Sequence, residues 1–366
     1  MHYTKPSYYD NFICIAGACP ATCCGGWQII IDDASLDKYS DISGPLGDRV
    51  RSSITYNEDG EPYWRLSEDG KCRLLTCDGL CPLQKELGEE YLCHTCDVYP
   101  RHIEEYDGEQ EYSLSPSCPE AARIILKTAI DDLIEWDDEL EDDYDYEDYD
   151  YFLYTGLVDA RKAMFDLIRS DLTYDKIMAL VLEYSFMLQD CIDEDRICDM
   201  ADISPASVAS VSPDDYFNYD LEKRLFSKLF ELEILQESWP ALLSATYELV
   251  FSSEESYKRC NKLLGQYDSY IKRILYFMIY VYFDGAIYDD LIYTKTALCV
   301  YCTRWIFMVF LQLKQADSPE YDDSDEYANS AEHENTAMTA MVKAVYTFCR
   351  EIEHSDLNIE ALEEWF

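Results

Sequence analysis

From about residue 119 onward the chain reads as helix. Apolar residues recur every three or four positions through 159–170, 174–192, 213–236, 241–251, 257–283, 293–314 and 331–353. That spacing lines one face of a helix with core-facing side chains. The stretch "PEAARIILKTAIDDLIEW" opens this region with Pro119 in a first-turn position and Glu120 just behind it. Both suit a helix N-terminus, where the amide of the first residue needs no partner and a carboxylate meets the positive end of the dipole. The first 120 residues follow another pattern, with ten of the 13 glycines, eight of the 12 prolines and only short apolar runs. "WQIIID" (27–32) and "YWRL" (63–66), the latter after the turn-like "NEDGEP", predict short strands in a loop-rich unit. The expected fold is therefore mainly α. A small cysteine-rich domain of loops and short strands spans 1–118, and a larger α-helical domain spans 119–366.

Two polar stretches interrupt the pattern. Thirteen of the 20 residues between Asp131 and Asp150 are acidic, interleaved with tyrosines in "EDDYDYEDYDYF". Such a run repels itself, which predicts an exposed linker or a docking strip for a basic partner. "ADSPEYDDSDEYANSAEHENT" (316–336) predicts a surface loop leading into the last helix. The most apolar segments, 274–283 and 297–313, are respectively too short to span a bilayer and interrupted by Arg304. No membrane association is expected. "MHYTKPSYYDNF" carries no long apolar run behind a basic start, which favours a cytoplasmic location.

Charge narrows the partners. The formal net charge is −45, from 74 acids against 29 bases. Such a surface repels nucleic-acid phosphates and anionic membranes and attracts lysine-bearing proteins, or it serves solubility alone.

Cysteine carries the chemistry. Ten of the 16 lie in the first 118 residues: Cys14, Cys19, Cys23, Cys24, Cys72, Cys77, Cys81, Cys93, Cys96 and Cys118. In a reducing compartment that density points to metal ligation, because gathered thiolates repel one another until a cation compensates them. Cys19 and Cys23 share a face if their segment is helical, Cys93 and Cys96 have chelating spacing, and the adjacent Cys23 and Cys24 point in different directions. Zinc and a [4Fe–4S] cluster both take four thiolates. The domain offers only His2, His94 and His102 as imidazole partners, which favours the cluster. The short CxxxCxxC run of radical enzymes is missing, with Gly26 where its third thiol would fall.

The blocks "YYDNFICIAGACPATCCGGWQIIID", "CRLLTCDGLCPLQKELGEEYLCHTCDVYPR" and "SLSPSCPEAARIIL" resemble the flagellin lysine-N-methylase family over residues 8–127, with "RILYFMIYVYFDGAI" (273–287) the best later match. The resemblance implies methyl transfer from S-adenosylmethionine to flagellin lysines by a protein carrying an iron–sulfur cluster, with flagellin as partner. Carried over by motif, the ligand candidates are Cys19, Cys23, Cys81 and Cys96 first, Cys24 and Cys118 next, then Cys14, Cys72 and Cys93. Cys77 has no counterpart. A lysine must lose its proton before it attacks, and from a pKa near ~10.4 this costs roughly 4 kcal/mol at neutral pH. Tyr99, in "YPR" beside the cysteine block, is the candidate base. Nothing resembling GxGxxG is present to cradle the methyl donor. The donor then sits on the cluster or in a cleft between the two domains, and Arg101 is the candidate for its carboxylate, unless that arginine only pairs with surface acids. Two other readings compete with the methylase: a non-catalytic zinc- or iron-binding interaction module with an acidic docking surface, and a thiol redox protein built on Cys93 and Cys96.

Overall fold

Residues Thr296 to Leu311 are buried on every side of their helix, and the run Ile292–Asp317 that holds them becomes the axis about which the other helices pack. The computed structural model describes residues 1–57, 59–106, 109–138, 150–317 and 331–366. In chain order these hold β1 (His2–Lys5), α1 (Asp33–Asp41), α2 (Gly44–Ser52), β2 (Ile54–Tyr56), β3 (Pro62–Trp64), α3 (Pro82–Leu87), α4 (His94–Val98), β4 (Arg101–Tyr106), β5 (Glu109–Leu114), α5 (Pro119–Lys127) and β6 (Ile134–Asp137). Then come α6 (Tyr151–Arg169), α7 (Tyr174–Asp193), α8 (Pro213–Tyr216), α9 (Tyr219–Lys228), α10 (Trp239–Phe251), α11 (Glu254–Leu264), α12 (Asp268–Tyr282), α13 (Ile292–Asp317), α14 (Ala331–Glu353) and α15 (Asp356–Glu363). The protein is mainly α, as the periodicity predicts. Helix α13 is the one described helix long and apolar enough to cross a membrane, and 94% of its apolar window is buried inside the protein. It behaves as a core helix.

Two hydrophobic cores divide the molecule. The small core gathers Ile29, Ile31, Tyr39, Val50, Trp64, Leu74 and Leu83 around α1 to α4. The large core runs from Tyr8, Tyr106 and Leu114 through α5 to the last helices. Strand β1, β4 and β5 thus precede the predicted cut at residue 118 yet belong to a sheet, in the order β4-β5-β1-β6, that packs on the helical body. Helix α12 fastens that sheet. Tyr280 donates its hydroxyl to the carbonyls of Thr4 and Tyr112 at 3.2 and 3.1 Å, and Arg273 reaches the Leu126 carbonyl at the end of α5 at 2.5 Å. These contacts give the later sequence block, 273–287, its structural role.

Several elements differ from the pattern-based reading. Residues 27–32 form no strand. Gly25 and Gly26 precede them and Asp32 caps α1 by accepting from the Ser35 amide at 2.9 Å, leaving room only for the bridge of Ile30 to Tyr63. The helix opened by Pro119 stops at Lys127, and Ile134–Asp137 pairs antiparallel with β1 instead. That pairing takes part of the acidic stretch into the sheet; 139–149 lie outside the described residues, as do 318–330 of the second polar stretch. The 213–236 helix breaks at Phe217 because Asn218 turns its side chain onto the Leu221 amide, 3.1 Å away, and starts α9 afresh. The 257–283 helix breaks at Gly265, a weak helix former, and Asp268 beyond it accepts the Tyr174 amide at 2.7 Å.

Two details yield predictions. In α2, a Cβ built on Gly47 would lie 1.9 Å from the Ile42 carbonyl oxygen, so only glycine lets these backbones meet. Gly47→Ala should cost about 1–3 kcal/mol by urea unfolding. Between sheet and helices, Arg161 is shared by two buried carboxylates, Glu111 and Asp284, the latter 3.0 Å from its Nη1. One guanidinium cannot compensate both. Burial pushes Asp284 up to about 7 against the opposing pull of Arg161. The folded state therefore holds a proton that the unfolded chain releases near ~4, so this contribution to stability is present below pH ~4 and is lost as pH rises towards 7. Asp284→Asn should flatten the fall in stability between pH 4 and 7 in urea melts.

Candidate metal centre and adjoining cleft

Short helices deliver most of the thiols. Cys81, Cys93 and Cys118 each occupy the residue just before a helix, at the starts of α3, α4 and α5. There the backbone amides pull toward the thiolate, but burial outweighs them at Cys81 and Cys118, whose thiols are pushed up. Cys96 lies within α4, near its start. Cys14, Cys19, Cys23 and Cys24 come from the amino-terminal loop. That loop is pinned by the Cys72 amide donating to the Cys24 carbonyl at 2.6 Å and by the Gly26 amide donating to the Gly70 carbonyl at 3.0 Å. A Cβ on Gly25 would lie 3.0 Å from that same Gly70 oxygen, and Gly26 adopts a φ of 86°, which is why the CCGG run ends in two glycines.

Six of the nine motif cysteines surround one cavity. Cys14, Cys19, Cys23, Cys24, Cys81 and Cys118 line a space of about 100 Å³ together with Tyr99, Glu120 and Arg350. Cys72, Cys93 and Cys96 stand behind it in the small core. All sixteen cysteines are free thiols, and Cys77 is exposed. Two pairs of thiols lie close enough to act on each other: Cys23 lowers its neighbour Cys24 and Cys96 lowers Cys93, while Cys23 and Cys96 are themselves pushed up by those neighbours and by burial. Among the described residues no three His, Cys, Asp or Glu side chains converge tightly enough to grip a single ion. The thiols ring a void instead. Cys14 is exposed, Cys118 buried and the other four half-buried, all free of disulfides, so thiolates for a multi-atom cluster are present in number but not gathered at one point.

This cavity opens onto a larger cleft. The cleft, about 930 Å³, shares Ala16, Cys19, Ala21, Thr22, Gly79 and Arg350 with the cysteine cavity, and its far wall is Leu235–Ser238 of the helical body. One turn of α14 holds both walls. Arg350 donates to the carbonyls of Ala21 and Ser117 at 3.0 and 2.9 Å. Its neighbour Glu351 accepts the amides of Leu235 and Gln236 at 3.0 and 2.7 Å. The cleft's rim carries Glu68, Asp69, Glu237 and Lys71.

Tyr99, the candidate base, lines the cysteine cavity, but its phenol bonds to the Ser117 hydroxyl at 3.0 Å, and burial raises its pKa above the normal phenol range. A phenol held neutral in this way positions its neighbours; it is a poor base. Trp27 lies between Tyr99 and His354, with ring centroids 5.7 and 4.8 Å away. His354 is pushed down to about 4 by burial and stays neutral beside Ser117. Arg101 is exposed on β4, its guanidinium 5.3 Å from the Phe12 ring, and lines neither the cavity nor the cleft. Arg350, not Arg101, is the arginine that lines both spaces. It lies more than 200 residues beyond the cysteine blocks, in an ordinary helical stretch, and no local motif marks it.

The site is thus a cysteine-rich lobe whose thiols line a cavity, beside a cleft against a helical body. Comparison with known proteins is more specific. Over 128 residues, 34% of this chain, it is 34% identical to the flagellar biosynthetic protein FliU of Salmonella muenchen, covering 76% of that protein. The same identity over the same length relates it to the lysine-N-methylases of Salmonella choleraesuis (strain SC-B67) and Salmonella typhimurium, where the match spans 32% of each. The chain belongs to the family of FliU and these lysine-N-methylases. The match spans about a third of the length of the two methylases. No family model and no solved structure matches the chain.

Proposed function

We propose that this protein is a cytoplasmic methyltransferase that moves a methyl group from S-adenosylmethionine to lysine side chains of flagellin, using the cleft beside its cysteine cavity. The observation that carries the reading is the junction of the two spaces at Cys19 and Arg350, in a chain whose relatives are named lysine-N-methylase. A [4Fe–4S] cluster, where bound, would be held by four of the cavity's cysteines and would tie together the loop and the helix starts that carry them.

The chain's own residues divide the remaining work. Arg350 has five N–H donors, of which the Ala21 and Ser117 carbonyls engage two groups. It can hold the carboxylate of the methyl donor while keeping the cleft closed behind it. Glu68, Asp69 and Glu237 at the rim attract a lysine ammonium, and the Arg350 guanidinium in the cleft disfavours that charge, so the amine gives up its proton to water at the acidic rim as it enters. Attack of the neutral amine on the donor methyl forms the N–C bond and expels the thioether.

The test is methyl incorporation into purified flagellin from labelled S-adenosylmethionine, located by mass spectrometry. Incorporation at surface lysines supports the reading; flagellin binding without methylation overturns it in favour of an interaction module. Arg350→Ala should raise KM for the donor about tenfold to a hundredfold, the worth of a charged hydrogen bond.

A further inference from the structure

We propose that the helical body carries a binding site of its own, a cavity between α10, α11 and the end of α13 that takes an amphipathic monoanion: an aliphatic chain ending in a carboxylate. It shares no residue with the cysteine cavity or the cleft, and depends neither on bound metal nor on methyl transfer.

The break at Gly265 makes room for it. Helix α11 ends at Leu264, and the chain turns through Gly265–Tyr267 before α12 begins. That turn brings Tyr267 to the rim of a space of about 220 Å³. Leu249, Cys260, Leu263 and Leu311 form its apolar side. Cys260 and Leu311 are buried, and the Cys260 thiol is turned to the Leu249 carbonyl, 3.9 Å away. The floor therefore suits a hydrocarbon chain, as the apolar part of a small-molecule site does.

The mouth has the opposite character. Arg259 and Lys314 line it, and among the described residues no carboxylate does. That is notable in a chain with 74 acids against 29 bases. Lys314 donates to the Tyr267 hydroxyl at 2.6 Å, which leaves that hydroxyl's own hydrogen to donate in turn. The Tyr267 ring is held by the Phe310 ring, edge to face at 4.7 Å between centroids. Arg259 is exposed, and no hydrogen bond or ion pair joins its five N–H donors to another described residue. It nevertheless lies close enough to the floor to pull the Cys260 thiol down against the effect of burial.

A ligand's carboxylate answers this arrangement. It can take two parallel N–H bonds from the guanidinium and lie beside the Tyr267 hydroxyl, while its chain covers the leucines below. An amphiphile with a cationic head gains only the apolar part and meets two positive charges. A short carboxylate gains only the polar part.

The test is isothermal titration of the full chain with sodium octanoate, with octylammonium chloride and sodium acetate as comparison probes. Octanoate should bind at a single site per chain, acetate far more weakly, and octylammonium not at all. Arg259→Glu, at an exposed position, should leave helical circular dichroism and the unliganded Tm unchanged. It should weaken octanoate about tenfold to a hundredfold, the worth of a charged hydrogen bond. No heat from octanoate, or octylammonium binding as tightly in the wild-type protein, overturns the site without recourse to any variant. Octanoate affinity unchanged in Arg259→Glu overturns its location.

Discussion

Glutamine in place of Glu222 is expected to destabilise the helical body by about 3 kcal/mol in urea unfolding at neutral pH. Glu222 and Arg304 are both fully buried, joined by two hydrogen bonds of 2.5 Å from the guanidinium Nε and Nη2. Tyr257 donates its hydroxyl to the same carboxylate, and the Arg304 guanidinium lies 4.1 Å from the Phe217 ring. Three helices, α9, α11 and α13, are thereby tied at one point. Glutamine preserves shape and removes the charge, stranding a guanidinium away from water. The expected loss sits at the lower end for a broken buried pair because Arg304 also borders a cavity of about 600 Å³ that can admit water. Replacing both partners at once, Glu222→Leu with Arg304→Met, should recover most of the loss, since a well-packed apolar pair avoids the desolvation cost altogether.

Metal removal is expected to act on the other lobe. The small core is built from few side chains, two of them cysteines, and a bound metal can contribute on the order of 10 kcal/mol to such a fold. Chelation or anaerobic acid treatment should therefore expose residues 24–98 to limited proteolysis and speed their amide exchange. Helices α6 to α15, which share the large core, should keep their protection. Equal loss in both lobes would mean that the large core depends on the thiols as well.

How far the sequence carries depends on the range of the interactions. Helices α7, α10, α13 and α14 follow from local periodicity and lie within a few residues of their expected ends. The breaks at Asn218 and Gly265 do not, because each is set by a capping side chain or a contact such as Asp268 with Tyr174, 94 residues apart in sequence. The four-stranded sheet escaped prediction for a related reason. Its pairs join residues such as Tyr3 and Trp136, and a parallel β1–β5 pairing has no hairpin signature. Density of cysteine was enough to locate the candidate site, and Tyr99 falls on its wall. The arginine at the cleft was beyond reach, since nothing near Arg350 distinguishes it from any basic residue in a last helical turn. What places it there is Glu351, holding the opposite wall from the next position along the same helix.

X-ray absorption at the iron and zinc edges, on protein purified without oxygen, tests the central claim most directly. The account predicts bound metal with a first shell made wholly of sulfur, at about 2.3 Å if the metal is zinc. Protein that is folded in both lobes yet shows no metal above background, or metal held by oxygen and nitrogen alone, would contradict it.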